Sequence, residues 1–153
     1  MANPVSADFL HSVSGLEHLR LMLTGDVAPS PISQLLNYRL HSAEKGKVCF
    51  IGAPLKDHTN QIGILHGGWY STLLDSAMAC AIMSELPAGR VQNTLEFKVN
   101  LLKTIPKGMQ VAATGTTLHV GRSTGVATGE IRGVENGILY ASSSTTCLIL
   151  DAK

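Results

Sequence analysis

Residues 66–83 of the chain read HGGWYSTLLDSAMACAIM, in which two glycines open a long and almost uncharged run. The run is long enough for a helix of several turns, which we expect from about Gly68 to Glu85. Residues 87–89 (PAG) follow, as is typical just past the end of a helix. A helix that is apolar on all sides is normally buried. This stretch therefore predicts a central helix around which the rest of the chain folds.

One acid interrupts the apolar run. Asp75 is the only residue with a formal charge at neutral pH between Asp57 and Glu85. A buried carboxylate is costly unless it is paired or hydrogen-bonded. Asp75 is therefore either a structural acid, hydrogen-bonded by neighbouring hydroxyls such as those of Ser71, Thr72 or Ser76, or a reactive one.

The part of the chain before this helix is more mixed. Residues 1–31 are predicted to form a helical leader, because apolar residues recur there at helical spacing, at Leu16, Leu19 and Leu23. Prolines at its end prevent the helix from continuing. Residues 32–42 are expected to form a short helix leading into a first strand at 47–53, and residues 55–65 a polar loop.

The pattern after residue 90 changes to a period of two, which predicts a half-buried strand with its apolar side at Leu95, Phe97, Val99 and Leu101. A proline- and glycine-containing turn at 106–108 and the hairpin signal Glu135-Asn136-Gly137 separate further strands. Those strands are expected at residues 109–120, 124–132 and 138–150.

The element order predicts one α+β domain over residues 1–153. Consecutive strands joined by tight turns pair antiparallel. An antiparallel sheet and one apolar helix bury each other as two layers. Because the helix has no polar face for water, we expect the sheet to curl around it.

Composition limits the function. The net charge is +1, without a basic block, so neither nucleic acid nor an anionic membrane is an expected partner. No signal peptide or membrane span is predicted. Three widely spaced cysteines in apolar segments, Cys49, Cys80 and Cys147, are typical of a reduced cytoplasmic protein, and the histidines have no zinc-ligand spacing.

The arrangement resembles the hotdog-fold acyl-CoA thioesterases, in particular the phenylacetate-degradation (PaaI-like) branch related to 4-hydroxybenzoyl-CoA thioesterase. The resemblance extends over nearly the whole chain. The matching segments are Ser14-Gly15-Leu16-Glu17, Asn60-Gln61-Ile62-Gly63, His66-Gly67-Gly68, Leu74-Asp75-Ser76-Ala77, residues 94–100 (TLEFKVN), Gly121-Arg122 and residues 145–148 (TTCL).

The resemblance implies a curled antiparallel sheet wrapped around the central helix. It also implies dimers that pair their sheets, and often a homotetramer built as a dimer of dimers. The implied reaction is hydrolysis of an acyl-CoA thioester, aryl or medium-chain, to free acid and CoA. It needs no metal or redox cofactor, and CoA enters only as part of the substrate.

Asp75, Gly67 and Gly68 are the first candidates for chemistry. A carboxylate can attack a thioester carbonyl or activate a water to do so. Backbone amides at a helix start are unpaired and can stabilise the oxyanion of acyl transfer, and glycine lets substrate approach the backbone. The alternative for the glycines is a tight loop-to-helix turn. The resemblance points to the Gly67 amide as the main donor.

The spacing of Gly67 and Asp75 bears on assembly. Eight residues on one helix correspond to roughly 12 Å along its axis. A carbonyl held by the Gly67 amide would lie too far from Asp75 of the same helix. If both groups act on one substrate, the site is composite, with the two residues contributed by different subunits of a dimer.

The loop before the helix supplies further candidates. In the resembling enzymes an Asn or Gln here positions the thioester or the attacking water, which matches Asn60, or Gln61 if the register slips by one. The alternative for Asn60 is a turn-forming role. His66 either hydrogen-bonds the thioester region or orients the turn.

Two later segments complete the set. The resemblance places a polar side chain that contacts the nucleophilic water at the start of the strand after the helix, at Asn93 or Thr94. It also places the CoA arm along Gly121, Arg122 and Ser123, where Arg122 could meet a phosphate or be a solvated turn cation.

Three other functions compete with hydrolysis. A thioester dehydratase is disfavoured because the His-Phe-Pro-Gly type of motif is absent. A non-catalytic acyl-CoA-binding or sensing module would not need Asp75 and Asn60. A purely structural protein would leave the lone acid without a role.

Overall fold

The structure is a computed structural model that describes residues 5–153; the first four residues of the predicted leader lie outside this range. It contains four α-helices and six β-strands. In chain order they are α1 (Ala7–Ser12), α2 (Gly15–Thr24), α3 (Pro31–Leu35), β1 (Tyr38–Glu44), β2 (Lys47–Gly52), α4 (Gly67–Met83), β3 (Arg90–Leu101), β4 (Val111–Val120), β5 (Thr124–Gly133) and β6 (Leu139–Asp151).

The six strands form one antiparallel sheet in the order β1-β2-β4-β5-β6-β3. Helix α4 contacts every strand of this sheet, and its inward side chains are fully buried, among them Leu73, Leu74, Ala77 and Met78. This confirms the predicted α+β architecture, with a curled sheet around a central helix.

The sheet lies close to α4 because glycines face the helix. A Cβ on Gly115 would clash with the Ala77 carbonyl oxygen, and one on Gly125 would come within 2.6 Å of the Ile82 side chain. Without side chains here, the strands approach the helix closely, at its backbone beside Gly115 and at the Ile82 side chain beside Gly125. The aliphatic side of α4 is therefore in close contact with the sheet.

Strand β1 was not predicted. Residues 32–42 were expected to be a short helix, but α3 ends at Leu35 and β1 begins at Tyr38. Between them Asn37 has a φ of 54°, a left-handed conformation that ends a helix, and its side-chain amide donates to the Ala53 carbonyl at 2.8 Å. The sheet consequently has six strands instead of the five expected.

The leader contains two helices instead of one. The predicted helix is α2, and α1 precedes it. The N-cap residues are Ser6, whose hydroxyl accepts from the Phe9 amide at 3.2 Å, and Ser14, whose hydroxyl accepts from the Glu17 amide at 3.3 Å. Short polar caps of this kind satisfy amides that a helix start leaves unpaired.

Helix α4 differs from the prediction in two respects. It begins one residue before Gly68 and ends at Met83, two residues before Glu85. It is also not buried on all sides. In the isolated chain a stripe of small and polar residues is half-buried or exposed, comprising Gly68, Ser71, Thr72, Asp75, Ser76 and Ala79. The sheet covers only the opposite, aliphatic side.

Strand β3 also differs from the prediction. It does not pair with β4, because β6 and β5 lie between these two strands in the sheet. Residues 102–110 connect β3 to β4 and bury Ile105 on the way. Strand β3 lies instead at the sheet edge beside β6, with a bulge between Thr94 and Glu96. Its apolar side is therefore largely uncovered: Leu95 is 57%, Phe97 40% and Leu101 51% exposed.

None of the helices in residues 5–153 is both long and apolar enough to cross a membrane.

Candidate active site

Asp75 lies half-buried on α4 and is held by one side chain from the sheet. Thr94, on the inner side of β3, donates its hydroxyl to Asp75 Oδ1 at 2.8 Å. The Thr94 oxygen is in turn 3.9 Å from the sulfur of Cys147 on β6, the residue that faces Thr94 in the ladder. The sheet thus orients the acid through Thr94, and Asn93 is exposed on the other side of the strand.

The neighbouring hydroxyls on α4 do not satisfy Asp75, as the structural alternative supposed. Ser71 donates to the Gly67 carbonyl at 3.1 Å, and Thr72 to the Gly68 carbonyl at 2.9 Å. The Ser76 hydroxyl pairs with the hydroxyl of Tyr38 at 2.9 Å. The only side-chain hydrogen bond to Asp75 within residues 5–153 is the one from Thr94.

The other acidic groups around Asp75 keep their protons at neutral pH. Burial, with the Asp75 carboxylate nearby, raises the pKa of the Cys80 thiol to about 12. Burial likewise raises the pKa of the Cys147 thiol and of the Tyr38 hydroxyl. No thiolate therefore competes with Asp75 as a nucleophile or base in this region.

The start of α4 leaves one amide free. His66 is the N-cap residue, and its Nδ1 accepts from the Gly68 amide at 2.9 Å. The Trp69 amide donates to the His66 carbonyl at 3.0 Å. The Gly67 amide has no hydrogen-bond acceptor within the described part of the chain. Of the two glycine amides, Gly67 is the one available to an external oxygen.

The loop before α4 is built around Asn60. Its side-chain oxygen accepts from the amides of Ile62 and Ile64, at 3.1 Å each. Asn60 is thus a turn-forming residue whose oxygen is committed, while its exposed NH₂ group is not engaged by the loop. Gln61 is exposed at the tip. The loop returns to α4 through the His66 amide, which donates to the His58 carbonyl at 3.0 Å.

A cleft of about 360 Å³ opens beside the helix start, lined among others by Leu36, His58, Thr59, His66, Gly68 and Trp69. Trp69 is fixed in its wall, because its indole N–H donates to the Leu36 carbonyl at 2.9 Å. His58 stacks on the indole with the ring centres 6.4 Å apart.

The strand break at residues 121–123 lies apart from both groups. The Gly121 amide donates to the Thr124 carbonyl at 2.8 Å, and the Ser123 carbonyl accepts from Ile149 at 2.9 Å. Arg122 is exposed, and its carbonyl accepts from the guanidinium of Arg90 at 2.7 Å. Arg90 was not singled out from the sequence, although a cation at the start of the strand following the helix was a visible signal.

The predicted site residues therefore fall into three places. Asp75 and Thr94 meet in the middle of α4, and His66 to Gly68 lie at its start beside the Asn60 loop. Residues 121–123 form the turn between β4 and β5, next to the start of β3. Within residues 5–153 no three His, Cys, Asp or Glu side chains cluster closely enough to hold a metal ion.

A curled antiparallel sheet around a central helix is the hotdog architecture. The model of the thioesterase superfamily matches residues 62–139, which is 78 of the 153 residues. The chain belongs to the thioesterase superfamily, and it is a thioester hydrolase with a PaaI-like hotdog fold.

Solved structures agree with this assignment. A thioesterase family protein from Silicibacter pomeroyi is 27% identical with a TM-score of 0.77, over 87% of this chain and 98% of that one. A Streptococcus mutans protein, whose structure has acetyl-CoA bound, is 26% identical with a TM-score of 0.69, over 76% and 91%. The Escherichia coli PaaI protein of the phenylacetic acid degradation operon shares the fold, with 19% identity and a TM-score of 0.78 over 92% and 99%. A comparison with curated proteins found no match.

Proposed function

We propose that the protein hydrolyses an aryl- or medium-chain acyl-CoA to the free acid and CoA, with Asp75 as the nucleophile or general base. The observation that carries this proposal is the half-buried Asp75 carboxylate held by Thr94 at 2.8 Å. A hydrogen bond from a neutral hydroxyl orients the carboxylate and leaves its second oxygen free to act. The raised pKa values of Cys80 and Cys147 favour the protonated thiols and so favour Asp75 over them as the active group.

The reaction needs an attacking oxygen, a place for the oxyanion and a proton for the leaving group. Asp75 either attacks the thioester carbon itself or takes a proton from a water that attacks it. The carbonyl oxygen becomes an oxyanion that the Gly67 amide stabilises. The C–S bond then breaks and the CoA thiolate leaves. If Asp75 is the nucleophile, this leaves an acyl–Asp75 anhydride that a water hydrolyses to the free acid; if Asp75 is the base, the acid forms directly from the attacking water. In both routes the water supplies the new oxygen of the acid and the proton that the CoA thiolate recovers, so that one water is consumed overall.

In this proposal the Gly67 amide that stabilises the oxyanion belongs to a different subunit from Asp75. The exposed edge of β3 supports that arrangement. The edge is twelve residues long, exposed and apolar on one side, and such an edge pairs readily with another strand. Thr94 contacts Asp75, while Leu101 lies against Gly67. If two copies of β3 pair antiparallel about a two-fold axis near Phe97, Thr94 faces Leu101 of the partner subunit. Asp75 then approaches Gly67 of the partner subunit, which no single chain achieves.

Coenzyme A as the leaving group is supported by two relatives. The Streptococcus mutans protein was crystallised with acetyl-CoA, and a Streptococcus pneumoniae protein that is 25% identical was crystallised with coenzyme A. In this chain the exposed Arg122 could receive a CoA phosphate at the strand break formed with Gly121 and Ser123. The proposal also includes a cytoplasmic location, because reduced thiols suit that compartment. It further includes a tetramer built from two such dimers.

The remaining residues have supporting roles in this scheme. His66 keeps the Gly68 amide occupied and thereby leaves the Gly67 amide as the oxyanion donor. The free NH₂ group of Asn60 is available to the thioester or the attacking water, and its oxygen holds the loop in shape.

The test is release of free thiol from a panel of aryl and aliphatic acyl-CoAs. We expect wild type to release CoA and Asp75→Asn to lose nearly all turnover, because Asn has the same shape but is neither nucleophile nor base. Asp26→Asn, an exposed acid in the leader, is the matched control. Acyl groups on a carrier protein are run in parallel. Turnover by Asp75→Asn above a few per cent of wild type would remove Asp75 from the mechanism. If wild type hydrolyses only carrier-protein thioesters, the leaving group is the carrier thiol and not CoA.

A further inference from the structure

A second cavity lies between the leader, the end of α4 and the start of β3. Its volume is about 220 Å³. An apolar cavity of roughly 150 Å³ is enough to hold benzene, so this one has room for a small organic group. Its lining includes Leu10, Val13, His18, Met83, Arg90 and Gln92.

Two buried polar atoms in this lining have no hydrogen-bond partner in residues 5–153: Nδ1 of His18 and Nε of Arg90. His18 packs edge-on against Phe9 with ring centres 5.1 Å apart, and burial lowers the pKa of its imidazole, so the ring is neutral. Buried polar groups are nearly always satisfied in folded proteins. Two unsatisfied ones in the same cavity are therefore candidates for contact with a ligand.

The other contacts of Arg90 leave its Nε–H available. One terminal nitrogen donates to the Arg122 carbonyl at 2.7 Å. Nε itself is 3.3 Å from a carboxylate oxygen of Asp151, but not in hydrogen-bonding direction, and the Asp151 side chain is 85% exposed. A surface ion pair of this kind contributes little to the stability of the folded protein. The Arg90 charge, 29% exposed, thus lacks a close buried counter-ion.

The cavity lies along the same seam between α4 and β3 as Asp75. Gln92 is two residues before Thr94 on the same side of the strand, about 7 Å away. Met83 is two turns beyond Asp75 on the helix, about 12 Å away. The residue on the intervening turn is Ala79, which is half-buried like Asp75 and Met83, so a partly accessible stripe of α4 leads from the acid to the cavity. An acyl group bound at Asp75 and directed toward the end of α4 would reach this cavity.

We propose that this cavity binds the far end of the acyl group and that this end carries a carboxylate, so that the preferred substrates are CoA monothioesters of medium-chain dicarboxylic acids. The inference rests on the proposed acyl-CoA hydrolysis. Leu10, Val13 and Met83 contact the methylene chain, while Arg90 and Gln92 offer hydrogen-bond donors to the carboxylate. His18 adds a third donor in the neutral tautomer that carries its proton on Nδ1. An acyl group with a methyl end would leave the Arg90 Nε–H unpaired, which is costly for a buried donor.

The test measures binding separately from turnover. Adipoyl-CoA and hexanoyl-CoA, which have the same chain length and differ at the far end, are titrated by calorimetry into Asp75→Asn. We expect adipoyl-CoA to bind about tenfold more tightly, the size of one hydrogen bond to a charged group. Arg90→Gln and His18→Phe, each added to Asp75→Asn, should remove this preference and change the hexanoyl-CoA affinity less than about twofold.

Two features make the comparison specific. Arg20→Gln removes one exposed positive charge from the same helix as His18, outside the cavity, and should keep the preference. His18→Phe retains a ring beside Phe9 and does not touch the strand break that Arg90 also holds. Loss of the preference in both cavity variants, with Arg20→Gln unchanged, therefore locates the carboxylate in the cavity.

The outcomes separate the two proposals. Equal affinity for the two thioesters, or a preference that persists in Arg90→Gln, overturns the cavity proposal even if wild type hydrolyses both. A preference that depends on Arg90 and His18, in a protein that releases no thiol from any acyl-CoA, supports the cavity and overturns the hydrolysis proposal. Absence of binding of either thioester overturns the cavity proposal, whereas the hydrolysis proposal is decided by thiol release from the whole acyl-CoA panel.

Discussion

The hydroxyl of Thr94 donates a 2.8 Å hydrogen bond to the carboxylate of Asp75, and so joins an edge strand to the central helix at the one acid of that helix. Cys147, 3.9 Å from the Thr94 oxygen, lies behind the pair and is fully buried. The position of Asp75 thus depends on two strands of the sheet as well as on α4.

We expect Thr94→Val to lower kcat/KM about tenfold or more, because a hydrogen bond to a charged group contributes roughly 1.5–3 kcal/mol. Thr94→Ser retains the donor and should stay within a few-fold of wild type. Steady-state thiol release from the best acyl-CoA measures both. A larger loss in Asn93→Ala than in Thr94→Val would transfer the role to Asn93.

Mixing two inactive variants tests whether the site is shared between subunits. Asp75→Asn and Gly67→Val should each be inactive alone. After unfolding and refolding together, half of the dimers are mixed, and each mixed dimer has one site with both native groups. We therefore expect recovery of about a quarter of wild-type activity. No recovery, with mixed dimers demonstrated by mass, would place both groups in one chain.

The exposed edge of β3 should be the dimer interface. Phe97→Lys places a charge at the centre of the proposed pairing, where a buried unpaired ammonium is costly, and we expect a monomer without thioesterase activity. Sedimentation velocity and thiol release measure the two effects. Leu35→Lys, at an exposed leucine on α3, is the control and should leave assembly and activity unchanged. A dimeric Phe97→Lys protein would require a different interface.

The role of His66 can be divided between capping and chemistry. Its Nδ1 accepts the Gly68 amide, so His66→Ala should lower the free energy of unfolding by about 1 kcal/mol, as for other N-cap losses. His66→Asn supplies another side-chain acceptor and should restore stability. If capping is the whole role, activity recovers as well. A stable but inactive His66→Asn protein would show that the imidazole is needed for the reaction.

The raised pKa of the Cys80 thiol predicts that the protein loses stability at high pH. In the unfolded chain the thiol loses its proton near its ordinary pKa of 9.0, whereas in the folded protein the pKa is raised to about 12. Between these values the unfolded state binds fewer protons, so the free energy of unfolding falls by about 1.4 kcal/mol per pH unit. Comparing denaturant unfolding at pH 8 and 10.5, we expect wild type to lose roughly 2 kcal/mol more than Cys80→Ala. Equal losses would mean that the thiol is hydrated in the folded state.

Periodicity predicted much of the architecture because each signal was local. The long apolar run specified α4 to within two residues at either end. The turns at Gly108 and Gly137, both with positive φ, separated β3 from β4 and β5 from β6. Strand β1 was missed, because the backbone reversal at Asn37 that separates it from α3 depends on a contact with Ala53, sixteen residues away.

The sequence by itself identified the candidates for the chemistry, since a single acid in an uncharged helix and two glycines at its start are visible without coordinates. Only the tertiary structure decided how they are used. The structure places Thr94, and not Asn93, against Asp75, because a strand presents alternate residues to opposite faces. At the start of α4 the His66 side chain accepts from the Gly68 amide, and the Gly67 amide is without an acceptor in residues 5–153. The tertiary structure also brought His18, Arg90 and Gln92 into one cavity, since packing joins residues that lie more than seventy positions apart in the chain.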